Sequence, residues 1–182
     1  YNHSMIKINF ANNMKTLICV DMQNDFIDGS LGTKEAKSIL PFVKDKIEVF
    51  QKNKDQVIYT KDTHYENYLE TQEGLKLPVK HCIKNTSGWE IPSSILLPNA
   101  KVFEKETFGS VHLIEYLKTQ EFDELHFVGL CTDICVVSNV LLAKATFPTK
   151  RIVVDSKCCA GVTPKSHEEA LNTMRMCQID IL

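Results

Sequence analysis

The chain has no apolar run approaching the roughly 20 residues that a membrane helix needs, so no membrane partner is expected. It has no block of basic residues. Its 21 Lys+Arg against 23 Asp+Glu give a formal net charge of −2, which argues against nucleic acid as the main partner. The N-terminus lacks the basic-then-apolar pattern of a secretory leader, which leads to the expectation of a cytoplasmic location. A disulfide framework is not expected either. The seven cysteines (Cys19, Cys82, Cys131, Cys135, Cys158, Cys159 and Cys177) are odd in number in a chain that is not short, and a reducing compartment fits them. No internal repeat, low-complexity tract or linker is visible. One domain over 14–182 is therefore expected, with 1–13 as an N-terminal extension. Tyr1-Asn2-His3-Ser4 reads as an expression remnant, and Met5 and Met14 both stand as possible starts.

What is present is a regular alternation. Thr16–Val20, Gln56–Thr60, Lys101–Glu104, Leu125–Gly129, Arg151–Asp155 and Ile179–Leu182 are short apolar runs that read as strands. Between them, Glu35–Lys54, Ser110–Thr119, Asp133–Phe147 and Thr163–Cys177 carry apolar residues at helical spacing. Pro41 is expected to mark the first turn of the first helix, and Thr163-Pro164 to cap the last one. Met22–Gly32 reads as a loop. Thr63–Asn99 is nearly aperiodic, and a loop of that length in a compact domain is usually functional. The alternation predicts an α/β fold, a mostly parallel sheet covered on both faces, with ligands beyond the C-terminal strand ends.

Asp21, Asp62, Lys105 and Cys135 each fall just past such a strand end. Cys135 lies where a strand turns into a helix, beside backbone N–H groups and the positive helix end, so its thiol is expected to ionise more readily than a free cysteine. A thiolate attacks an amide carbonyl and forms a thioester, splitting one hard hydrolysis into two easier steps. Asp21 at a semi-buried strand tip fits the base that takes the thiol proton and the acid that protonates departing ammonia. Lys105 would favour the thiolate and hold Asp21, and amides around Thr132–Cys135 would face an oxyanion. Each residue also has an ordinary reading: a buried small cysteine, a loop-capping carboxylate, a solvated lysine.

In the long loop, Asp62-x-His64 is followed by Glu70, Glu73 and His81, a set of residue types that binds zinc, or iron or manganese. Spacing alone leaves them equally readable as ordinary loop residues.

Several short motifs occur together in one order: Val20-Asp21-Met22-Gln23-Asn24-Asp25-Phe26, Thr60-Lys61-Asp62-Thr63-His64, Pro78 with His81-Cys82 and Thr86-x-Gly88, Phe103-Glu104-Lys105, and Gly129-Leu130-Cys131-Thr132-Asp133-Ile134-Cys135-Val136. With them the chain resembles the isochorismatase-like cysteine hydrolases, and within them the nicotinamidase/pyrazinamidase-like branch. The resemblance covers roughly Thr16–Asp155. It implies a three-layer α/β/α sandwich with Asp21, Lys105 and Cys135 as the catalytic triad. It implies a cis peptide between Cys131 and Thr132, beside an oxyanion hole of Cys131, Thr132 and Cys135. It implies a divalent metal, zinc foremost, on Asp62, His64, Glu73 and His81, and a substrate pocket lined by Phe26, Phe108 and Ile134. A homo-oligomer and a small-molecule amide substrate are implied as well. Isochorismatases proper lack the cysteine, so Cys135 favours amide hydrolysis.

The chain departs from that pattern in two places. No second histidine follows shortly after His64, which leaves Glu73 or Glu70 as the acidic ligand, with Glu73 preferred. Leu77 and Pro78 stand where the family often has an aromatic residue that stacks on the substrate ring, worth about 0.5–1.5 kcal/mol beyond burial. Nicotinamide is the first expectation for the substrate. A carbamoyl or ureido compound acted on by the same triad is the second. A thiol redox module on Cys131 and Cys135, or a binding protein without hydrolytic activity, is the reading from a different class.

Overall fold

The computed structural model describes residues 13–182. The expected N-terminal extension therefore lies, except for Asn13, outside the described residues. Six parallel strands form one sheet: β1 (Lys15–Val20), β2 (Gln56–Asp62), β3 (Lys101–Lys105), β4 (Glu124–Leu130), β5 (Arg151–Ala160) and β6 (Asp180–Ile181). Their order across the sheet is β3-β2-β1-β4-β5-β6. The chain winds outward from β1 through β2 to β3, then crosses back to β4 and winds the other way. The crevice between β1 and β4 is thus the switch point where such sheets bind ligands.

The period-2 alternation of the strands sorts side chains onto two faces. Ile18 and Val20 of β1 join Phe127, Val154, Leu113, Val140 and Met174 in one apolar cluster. It is covered by α4 (Val111–Leu117), α5 (Val137–Thr146) and α6 (Pro164–Met176). Leu17 and Cys19 join Tyr59, Val128, Val43, Ile47 and Phe50 in the other. The short α1 (Asn24–Ile27) and the long α2 (Lys34–Lys52) cover that face. The result is the three-layer sandwich with a parallel sheet that the sequence predicts.

Several boundaries differ from the sequence reading, each for a physical reason. Pro41 does not open α2. The helix starts at Lys34, where the Thr33 hydroxyl accepts the Ala36 N–H, and Pro41 lies inside it. The buried stripe Ala36, Ile39, Val43, Ile47 and Phe50 runs through the proline, which faces solvent and costs one intrahelical hydrogen bond there. Met22–Gly32 contains the one-turn helix α1 rather than loop alone. Thr63–Asn99 contains 3₁₀ turns at Tyr68–Glu70 and Ser87–Trp89 and the short helix α3 (Gln72–Lys76). β5 continues past Asp155 to Ala160, so Cys158 and Cys159 are strand residues whose side chains enter opposite apolar clusters. The cap of α6 is as predicted: Thr163 and Ser166 form a capping box and Pro164 takes the first helical position.

Candidate active site

At the C-terminal rim, β4 approaches β1 closely enough that only glycine fits at its end. Gly129 has φ +123°, and a Cβ there would lie 2.1 Å from the Val20 carbonyl oxygen. The pairing of β4 with β5 shifts at the same point. Beyond it the chain turns sharply. The cis peptide is Leu130–Cys131, one residue earlier than the expected Cys131–Thr132, because β4 ends at Leu130 and the reversal starts there. The turn that follows, Thr132–Val136, is π-helical, and α5 begins only at Val137. Cys135 therefore sits inside a π turn, a geometry often found at functional sites, and not in the first turn of the α-helix.

Asp21 is fully buried, with a positive φ of 47° at the end of β1. This left-handed conformation is unusual for a residue other than glycine and holds the carboxylate over the crevice. Its Oδ2 lies 2.6 Å from Lys105 Nζ, and its Oδ1 accepts the Thr60 hydroxyl at 2.7 Å. Lys105 Nζ also donates to the Thr107 carbonyl at 3.1 Å and stands 3.6 Å from Cys135 Sγ and 3.6 Å from Asp62 Oδ1. Thus one ammonium group touches all three other rim residues, and the four groups lie at or just past the ends of four different strands.

Burial pushes the Asp21 carboxyl up from its ordinary range, against the pull of Lys105. It also pushes the Cys135 thiol well up, and the Asp21 charge adds to this while Lys105 opposes it. The expectation of an easily ionised thiol is overturned: desolvation inside the crevice exceeds the help from one cation. Both groups therefore bind a proton more tightly than they would in water. Lys105 remains a cation, because the attraction of Asp21, Cys135 and Asp62 exceeds its desolvation.

Asp62, His64, Glu73 and His81 converge, with one ligand-type atom of each lying within 4.8 Å of the others. Asp62 Oδ2 is 2.8 Å from His64 Nε2 and 3.3 Å from His81 Nε2, and Glu73 Oε1 is 3.6 and 3.7 Å from the same nitrogens. His81 Nδ1 donates to the Val79 carbonyl at 2.8 Å, which leaves Nε2 with its lone pair facing the cluster. Asp62 Oδ1 is buried without a hydrogen-bond partner. Two imidazole nitrogens and two carboxylates converging on one point, with Asp62 Oδ2 beside both rings, fit a divalent cation. Burial raises the Asp62 carboxyl, but bonds from His64 and His81 win and hold it far below the usual range. The acidic member is Glu73, reached through the first turn of α3, whose Thr71 cap accepts the Gly74 N–H. Glu70 points to solvent.

Phe26, Phe108 and Ile134 line one cavity of about 200 Å³ with Cys131, Cys135, Asp62, Glu73 and His81. Its other walls are Leu31, Leu77 and Val162, so its surface is largely apolar. A wider groove of about 820 Å³ adjoins it past Leu77, Phe108 and Ile134. The structure brings together every sequence-predicted site residue. Asp21, Lys105, His64 and Thr132 are not on the cavity wall itself, and all four are buried.

Sequence reasoning missed the residues that hold this arrangement. Gln23 is fully buried: its Oε1 accepts the Asp62 N–H at 2.8 Å, and its Nε2 donates to the Asp62 and Trp89 carbonyls. Asn139, one helical turn after Cys135, donates to the Cys135 carbonyl at 2.7 Å and to that of Phe108 at 3.1 Å. Tyr68 packs its ring 4.7 Å from His64 and 4.9 Å from His81. Asp25 accepts the Cys82 N–H at 2.8 Å, and Gly88 lies so close that a Cβ would meet the Asp25 carboxylate at 2.2 Å. Gln23, Asp25 and Gly88 stand inside the quoted motifs, so their position was readable although their role was not.

Comparison with known proteins gives a consistent result. The Isochorismatase domain pattern matches residues 15–182. An uncharacterized isochorismatase family protein of Bacillus subtilis is 31% identical over 172 residues, covering 87% of this chain and 92% of that protein. A nicotinamidase of Saccharomyces cerevisiae is 28% identical, covering 71% and 81%. Among solved structures, a nicotinamidase/pyrazinamidase of Bacillus subtilis superposes with a TM-score of 0.81 at 27% identity, covering 92% of this chain and 98% of that one. A pyrazinamidase of Pyrococcus horikoshii in complex with zinc gives 0.82 at 27% identity, with the same coverage. An N-carbamoylsarcosine amidase of Thermoplasma acidophilum gives 0.77 at 25% identity, covering 92% and 95%.

Proposed function

The chain belongs to the isochorismatase family, and from that premise we propose that it is a cysteine-dependent amidohydrolase that releases ammonia from a small amide, nicotinamide first. The observation that carries the reading is the position of Lys105 Nζ, 2.6 Å from Asp21 and 3.6 Å from Cys135 Sγ, at the edge of a small apolar cavity.

In this mechanism the amide carbonyl carbon sits against Cys135 Sγ. As the C–S bond forms, the thiol proton passes to Asp21, whose raised basicity suits it to the transfer. Charge develops on the carbonyl oxygen, which the backbone amides of Cys131, Thr132 and Cys135 are assigned to receive. Asp21 then returns the proton to the nitrogen, the C–N bond breaks, and ammonia leaves a thioester on Cys135. Water attacks the thioester, its proton goes to Asp21, and the acid departs as the thiol re-forms. Lys105 stays protonated throughout, orients Asp21 and offsets its charge. A divalent ion held by Asp62, His64, Glu73 and His81, with zinc the first choice, would supply a Lewis-acid docking point for a ring nitrogen. Phe26, Ile134 and Phe108 would flank the ring.

Nicotinamide is favoured by the apolar walls and by the cation site at one end of the cavity. The similarity to an N-carbamoylsarcosine amidase supports the second reading, a carbamoyl or ureido substrate on the same triad. The redox reading is disfavoured, because burial pushes the Cys131 thiol up to about 12 and that of Cys135 well above its ordinary value, away from the thiolate that disulfide exchange requires. The test is ammonia release from nicotinamide, pyrazinamide and N-carbamoyl amino acids by zinc-loaded protein. Turnover of the pyridine or pyrazine amide is expected. Turnover confined to carbamoyl compounds selects the second reading, and no turnover of any amide overturns both.

A further inference from the structure

The π turn that carries Cys135 is tied to one element the proposed mechanism does not use. Thr132 is fully buried, and its Oγ1 lies 2.7 Å from Nδ1 of His167 on α6. The next residue, Asp133, accepts the Val162 N–H with both carboxylate oxygens, at 3.2 and 3.3 Å. Val162 in turn lines the cavity. The start of α6 and the loop before it therefore grip the turn at two consecutive residues, through the His167 ring and the Val162 N–H.

The grip is stiff at the α6 end. Thr163 caps the helix with Ser166, Pro164 fixes its first turn, and the His167 N–H donates to the Thr163 carbonyl at 3.0 Å. Gly161 packs so tightly under this turn that a Cβ there would fall 2.8 Å from the His167 nitrogen. The backbone of His167 is thereby fixed, and its ring reaches from it to the Thr132 hydroxyl. Thr132 directly follows the cis-linked Cys131 and precedes Cys135 by three residues. Its position sets where the amides of the turn and the sulfur stand relative to one another.

We propose that His167 is a positioning residue for the reaction: through its hydrogen bond to Thr132 it fixes the turn that aims Cys135 and the amides assigned to the carbonyl oxygen. This rests on the amidohydrolase reading, but the geometry it concerns is that of the turn itself. A misplacement of a reacting group by a fraction of the distance at issue costs rate and leaves binding largely intact. The loss should therefore fall on kcat and not on KM.

The test uses the full-length, zinc-loaded protein with H167A, H167N, T132V, T132S and the double variant H167A/T132V. Asparagine places a polar atom near that of Nδ1, and serine keeps the hydroxyl. Expected for H167A and T132V is a kcat for nicotinamide reduced about tenfold or more with KM within about twofold. H167N and T132S should recover most of the loss. The double variant should be no worse than either single one, since both remove one bond. The rate of Cys135 alkylation by iodoacetamide, read by mass spectrometry, is measured on the same set. It should change in H167A and T132V and return in H167N and T132S. A kcat within twofold of the parent in H167A and T132V, or losses that multiply in the double variant, would overturn the proposal. If the parent hydrolyses no amide, the amidohydrolase reading fails separately. The alkylation pattern then decides: a rate unchanged across all variants refutes the positioning role. Should H167A fail to fold, the near-isosteric T132V against T132S carries the same comparison.

Discussion

The two rims of the sheet use similar residues for opposite ends. At the C-terminal rim, Asp21, Lys105, Asp62 and Cys135 are all buried and gathered around the Lys105 ammonium, with Asp62 and Cys135 lining a small cavity. At the N-terminal rim, Glu124 accepts from Arg151 at 2.9 Å and pairs with His126 at 2.9 Å, while Arg151 also reaches Asp180 at 2.6 Å. There the Arg151 and Asp180 side chains are about half exposed, at 47% and 53%. Water shares the cost of charge at the second rim and is excluded at the first. The consequence is visible in proton affinity. Burial raises Glu124, but bonds from His126 and Arg151 outweigh it and bring its carboxyl down to about 2. Asp21, with a closer cation but no water, is pushed up. One rim is built to stay ionised and hold strands together. The other buries a carboxyl and a thiol that both bind protons more tightly than in water, an arrangement that costs stability and is characteristic of functional sites.

That contrast is broken most severely by Cys135→Ala. Amide turnover should fall by at least about a thousandfold while the melting temperature stays within a few degrees, as measured by ammonia release and calorimetry. A loss of fold with the activity would mean the thiol is chiefly a packing group. Lys105→Met comes next and should damage both properties. It leaves Asp21 and Asp62 facing each other without a counter-charge, so activity should vanish and stability should drop by about 3–5 kcal/mol in urea denaturation. A drop under 1 kcal/mol would show that Lys105 is not the hub of the rim.

Removing the divalent ion with a chelator should abolish or strongly reduce turnover, with recovery on adding zinc. Zinc at about 100 times its dissociation constant should also raise stability by about 2.7 kcal/mol. Asp62→Asn should remove this stabilisation. A melting curve insensitive to zinc would reject the cluster as a metal site.

The smallest expected effect belongs to the other rim. Glu124→Gln should leave kcat and KM unchanged and cost about 1–2 kcal/mol, after allowance for the half-exposed Arg151. The pH dependence has a definite sign. Glu124 has a folded-state affinity for protons below the unfolded one. Its contribution is therefore complete above the ordinary carboxylate value near 4.5 and is lost as pH falls toward about 2. Wild type and Glu124→Gln should converge in stability over that window. If they diverge instead, the carboxylate is not held down by its partners.

The layers and the rim positions of Asp21, Lys105 and Cys135 were legible because each rests on local pattern: a period-2 run, a helical stripe, a polar residue at a strand end. Motif order made Asp62, His64 and His81 legible as a group. Glu73 was preferred over Glu70 from the sequence, and what that reading lacked was the turn of α3 that carries Glu73 to His64. Gln23, Asn139, Tyr68 and the Thr132–His167 pair were not legible, because none has a chemistry that marks it and the contacts with Asp62, Phe108, His81 and each other form only in the fold. The acidity of Cys135 was misjudged for a related reason. A strand-to-helix position suggests a helix dipole, but the depth of burial that outweighs it is a tertiary property. The π turn and the exact bond that is cis depend likewise on how β4 ends against β1.

The central claim, that Cys135 attacks the amide carbon, is tested most directly by acid-quenching zinc-loaded protein during nicotinamide turnover and mapping its peptides by mass spectrometry. The account predicts an acyl group on Cys135 that disappears as the substrate is exhausted and is absent in Cys135→Ala. Ammonia release with no acyl group on Cys135, or with one on another residue, would contradict it.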